Sequence, residues 1–196
     1  MRLLSVTCGA GVCLGLSVLV FPSVVHGQLS STKAPETFYA EARTLGEDAG
    51  ASATVTIRIM RYTPEKDLMA MQDALKINGY KGFLLAIRVA PDVGSIEMNG
   101  RKVAVRWARQ QPKDKGRTIS VVGEAPLFFV GGGAVDAKSR NGFELAIILL
   151  DLDPIGLGSG SMAPAARVRP GGETGVQIDD YAYRPVKLVS VRKSYQ

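Results

Sequence analysis

Apolar and polar residues alternate with a period of two along much of this chain. Val55, Ile57 and Ile59 alternate with Thr54, Thr56 and Arg58, which predicts a half-buried strand. The same period over residues 83–89, with Phe83, Leu85, Ile87 and Val89 against Leu84, Ala86 and Arg88, predicts another. Residues 96–98, the pair Asn99-Gly100 and residues 101–109 read as a tight hairpin, since Asn-Gly tolerates the positive φ such a turn needs. Residues 117–122 and 127–130 predict two short strands. Residues 143–152 are apolar on both faces apart from Glu144 and Asp151, the pattern of a central buried strand. Residues 165–169, 175–179 and 186–193 complete the set, and residues 38–43 predict a first strand. Each asparagine, Asn78, Asn99 and Asn141, precedes a glycine and marks a turn or a cap.

One stretch changes period. Thr63 is a capping residue, Pro64 suits a first helical position, and Glu65 and Asp67 complement the positive end of a helix dipole. Leu68, Met71 and Leu75 follow at helical spacing, and Asn78-Gly79 is the expected stop, so a helix is predicted over about residues 64–77. The fold class is therefore mainly β: an antiparallel sandwich or barrel with one short helix.

The first 27 residues stand apart. After Arg2, residues 3–25 are uncharged and rich in Leu, Val and Gly, and Val25-His26-Gly27 suits a peptidase that cuts before Gln28. Residues 1–27 are thus read as a signal peptide, 28–52 as a tail with the first strand, and 53–196 as a single β-rich domain. An uncleaved anchor is the rival reading of the leader. Cleavage would make the chain exported, periplasmic or secreted, with no membrane span left in it.

That division empties much of the chemical repertoire. Both cysteines, Cys8 and Cys13, and the only histidine, His26, lie in the leader. The rest has no imidazole for a Ser-His or Cys-His mechanism, no usual zinc or haem ligand, and no disulfide, so no cofactor is expected. Paired carboxylates remain available for a histidine-free hydrolase, acting for example on glycans. By type the candidates are Glu97, Glu124, Asp136, Glu144, Asp151 and Asp153; Glu144 draws attention because its strand is otherwise apolar. Ser190 and Lys193 have the spacing of a serine–lysine pair but lie in a strand pattern. Asp151-x-Asp153 lacks the later ligands of a calcium loop, and Gly156–Gly160, like Gly131–Gly133, reads as a hairpin loop without the features of a phosphate site.

The chain carries a formal net charge of +6, of which Arg2 supplies one unit to the leader. Seven basic residues, one acid and the sole tryptophan, Trp107, fall within residues 101–117. Arg101, Lys102 and Arg106 form a candidate anion-binding surface for an anionic polymer, a lipid surface or an envelope protein. Strand alternation places Trp107 with Val103 and Val105, away from Lys102 and Arg106. No aromatic ladder accompanies the basic residues, so nucleic acid is not an expected partner.

The runs Val55-Thr56-Ile57-Arg58-Ile59-Met60-Arg61-Tyr62-Thr63-Pro64, Arg106-Trp107-Ala108-Arg109, Glu124-Ala125-Pro126-Leu127-Phe128-Phe129 and Tyr183-Arg184-Pro185-Val186-Lys187-Leu188 resemble a group of uncharacterised exported bacterial proteins. The resemblance spans about residues 53–193. It implies a single exported domain and carries over no functional residue. The expectation is an exported, non-catalytic β domain that binds a ligand or partner in the cell envelope; the alternatives are the carboxylate hydrolase and a purely structural envelope component.

Overall fold

A computed structural model describes residues 34–44, 52–127, 142–171, 176–180 and 186–194. The leader, the strand expected at 128–130, Gly131–Gly133, Asp136 and Asn141 lie outside the described residues. Leu127 is buried but not in a strand.

Among the described residues nine strands and one helix follow in the order β1 (Glu36–Thr44), β2 (Ser52–Ile59), α1 (Glu65–Val89), β3 (Gly94–Met98), β4 (Arg101–Lys113), β5 (Gly116–Gly123), β6 (Leu145–Leu152), β7 (Leu157–Pro170), β8 (Val176–Asp180) and β9 (Val186–Lys193). Each of β1 to β7 pairs antiparallel with the next, and β9 lies between β7 and β1. The result is a closed eight-stranded barrel, which decides between barrel and sandwich. β1 makes residues 36–44 part of that barrel. β8 stays outside the ring and pairs with the far end of β7, where Asp179 binds Arg167 and Arg169.

The period-two pattern fills the barrel. Phe38, Ala40 and Ala42 of β1 meet Val55, Ile57 and Ile59 of β2, Ile96 and Met98 of β3, and inward residues of the other ring strands in one continuous buried cluster. Eight strands leave room for side chains to fill, and the inward residues here pack as one hydrophobic core. Glycine permits the tightest crossings: a Cβ on Gly94 would collide with the carbonyl oxygen of Arg58 on β2.

Bulges reset the alternation. Val105 opposes Gly123 and Trp107 opposes Val122, so Arg106 is an extra residue in β4. Val103 and Val105 point inward, Trp107 points out, and Ala108 returns to the interior. The expected grouping of Trp107 with the two valines is corrected by this one residue. A second bulge near Ser190 (φ 52°) turns Val191 inward and brings Lys193 to the buried Glu36. The hairpin loop expected over residues 156–160 is a turn at Asp153–Gly156 followed at once by β7.

The helix is longer than its sequence signals suggest, and the strand expected over 83–89 belongs to it. At Gly79 the backbone takes φ 64°, ψ −159° and then resumes helical geometry. Leu68, Met71 and Leu75 before the kink, and Phe83, Leu84 and Ile87 after it, cover the outer faces of β4 to β7 in a second core. The residues of 80–89 satisfy both periods, and packing against the sheet selects the helix. Thr63 does not cap α1. Its N–H donates to the Ala108 carbonyl and its hydroxyl accepts from the Ala108 N–H, so it fastens the chain to β4.

The Gly79 conformation is one that residues with a Cβ avoid, even though the space beside it is open. Gly79→Ala is expected to cost about 1–3 kcal/mol, read as a fall in Tm. An unchanged Tm would show that the two halves of α1 do not depend on the kink.

Candidate functional site

Outside the barrel, the second core is incomplete. The bulge at Arg106 sets Trp107, Arg109 and Gln111 on the outward face of β4, beside Thr118, Ser120 and Val122 of β5 and Ile147 and Leu149 of β6. The β7–β8 hairpin supplies a wall through Val168, Val176, Gln177 and Ile178, and α1 supplies Gln72 and Phe83 from either side of its kink. Together they line an open groove of about 620 Å³.

Trp107 anchors its floor. The indole is 7% exposed, lies 6.2 Å from the Phe83 ring at 55°, and donates from Nε1 to Ser120 Oγ at 3.2 Å. The walls are mostly apolar, while glutamine and hydroxyl groups stand among them as neutral hydrogen-bonding groups. Among the described residues Arg109 is the only charged one lining the groove. Its Nη2 is 3.2 Å from Glu65 Oε1 in the first turn of α1, a solvent-exposed pair.

The expected anion-binding residues lie elsewhere and do not make one open surface. Arg101 begins β4 opposite Met98, and the exposed Lys102 stands opposite Glu97. Arg106, the bulge residue, bonds to Asp92, Glu124 and the Ala90 carbonyl, tying the exit of α1 to the end of β5. Arg109, in the same basic stretch, is the one brought to the groove. The bulge is what turns the face shared by Trp107 and Arg109 outward, and nothing local in the sequence marks that bulge.

The candidate carboxylates are dispersed among other tasks. Glu97 lies 3.7 Å from Arg58, Glu124 binds Arg106, and Asp151 binds Lys113 at 2.6 Å. Asp153 accepts from the N–H groups of Ile155 and Leu157 and so shapes the turn before β7. Glu144 receives the Tyr80 hydroxyl at 2.7 Å and the Gly142 N–H at 2.9 Å, pinning the second half of α1 to the start of β6. Burial, and then the bond to Glu144, push the Tyr80 phenol well above its usual pKa, so it stays a proton donor. Ser190 is exposed, whereas Lys193 turns to Glu36. Among the described residues no group of three or more His, Cys, Asp or Glu is placed to hold a metal ion.

Comparison of the chain with protein-family models, with curated proteins and with solved structures finds no match.

Proposed function

We propose that this chain is an exported, non-catalytic β-barrel domain that binds an amphipathic small molecule in the groove between α1, the outer sheet and the β7–β8 hairpin. The groove itself carries the reading. Its volume of about 620 Å³ falls in the range of small-molecule sites. It also has the usual make-up of such sites, apolar walls with a few convergent polar groups. The filled barrel directs attention to this outer surface and away from a central cavity. Export is supported by the leader pattern of residues 1–27 and by a remainder without thiols. The carboxylate hydrolase is the weaker reading, because the described candidates are occupied by separate ion pairs and turns.

Trp107 is the chain's only tryptophan and reports directly on the groove. Titration of the full chain with 1-decanol is expected to change its emission saturably. Ile178→Arg, which places a charge in the apolar wall, is expected to remove that response while leaving the far-ultraviolet circular dichroism unchanged. A response that survives in this variant would show binding elsewhere, and an absent response in the parent chain would refute the groove.

A further inference from the structure

We infer that the groove selects an anionic amphipath whose head group is held by Arg109; this rests on the groove-binding reading above. Among the described residues Arg109 is the only charged side chain that lines the groove, so these residues offer one fixed positive charge and no acid to oppose it. It sits on the same strand face as Trp107 and Gln111 and directly opposite Ser120 across the β4–β5 pair. An apolar tail lying on Trp107 and Leu149 therefore places its head beside a guanidinium.

Arg109 is held only lightly by its present partner. One nitrogen, Nη2, meets Glu65 at 3.2 Å, and the Glu65 side chain is 62% exposed. An exposed pair of this kind contributes little and exchanges readily. A guanidinium carries five N–H donors in a planar fork suited to two acceptor oxygens. A carboxylate, sulfate or phosphate monoester entering from the apolar side can take two of those donors where water is scarce, and so displaces Glu65. The nearest other acid along β6, Asp151, is bound to Lys113 at 2.6 Å and lies outside the lining. Glu65 is thus a built-in competitor for the ligand's anion.

Four ten-carbon probes test this on the full chain through Trp107 emission: decanoate, decyl sulfate, 1-decanol and decyltrimethylammonium. Decanoate and decyl sulfate are expected to bind about tenfold more tightly than 1-decanol, with the cation weakest. A preference for one anion over the other identifies the head group. Arg109→Gln should bring the anions to parity with 1-decanol and leave 1-decanol unchanged, while Arg109→Lys restores part of the preference. Glu65→Gln should tighten decanoate a few-fold without affecting 1-decanol, a gain that a merely structural Arg109–Glu65 pair would not give. Should Arg109→Gln fail to fold, Gln177→Glu, which adds an opposing charge, should weaken decanoate selectively. Equal binding of decanoate and 1-decanol by the parent chain overturns the anion assignment and leaves the groove standing. Failure of all four probes to perturb Trp107 overturns both.

Discussion

Replacing Glu36 with alanine is expected to destabilise the protein by about 3 kcal/mol, the lower end of what breaking a buried ion pair costs. The Glu36 side chain has no exposure, and it gathers Arg117 at 2.8 Å, Lys193 at 2.7 Å and the Tyr62 hydroxyl at one end of the barrel. Arg117 is fixed further by Gln110 and by the face of Phe38. Without the carboxylate, two positive groups that are 13% and 28% exposed share the same end of the core. The lower figure applies because Lys193 keeps some contact with water. Urea unfolding followed by circular dichroism measures the loss, and a change below 1 kcal/mol would show the cluster to be dispensable.

The same group gives the fold a pH dependence of definite sign. Burial alone would raise the Glu36 pKa, but hydrogen bonds from Arg117, Lys193 and Tyr62 outweigh it and hold the carboxyl below its ordinary 4.5. A carboxyl whose pKa is depressed by folding contributes stability above its unfolded pKa and loses it as pH falls through the folded value. The stability difference between the parent chain and Glu36→Gln should therefore be constant above about pH 5.5 and narrow on acidification below the ordinary value. A difference that does not change with pH would contradict the inferred pKa.

Replacing Arg106 with alanine is expected to cost about 1–2 kcal/mol, and deleting it is expected to cost about the same. The alanine variant loses the bonds to Asp92, Glu124 and the Ala90 carbonyl but keeps the bulge. The deletion loses the same bonds and removes the extra residue, so β4 returns to plain alternation with Val105 inward, Trp107 outward and Ala108 inward, the faces they already occupy. The groove and the barrel interior therefore keep their residues in the deletion variant. A deletion variant that no longer unfolds cooperatively would show that the fold depends on the bulge itself.

Those bulges also explain which parts of the fold were legible in the sequence. Simple alternation located β2, β5 and β9, the Asn99-Gly100 hairpin, and the doubly buried β6. It failed at 83–89 because Phe83, Leu84 and Ile87 also match a helical period and because Gly79 looks like an end when it is a kink. It lost phase at Arg106 and Ser190, where pairing with the neighbouring strands, not local composition, decides which residue is the extra one. The candidate site was hidden for the same reason. Its tryptophan and its arginine share a face by simple alternation, but only the bulge turns that face outward, and the opposing wall comes from the distant β7–β8 hairpin.

The placement of β9 between β7 and β1 has a consequence for biogenesis. Residues 186–193 supply hydrogen-bond partners to both neighbours at once. Until they have been synthesised, two rows of backbone amides and carbonyls stand open to pairing with other chains. Closure joins segments about 150 residues apart, the kind of contact that forms slowly. Nascent or C-terminally clipped chains are consequently the species most exposed to aggregation, and a holdase that shields strand margins would act on them before the ring is complete.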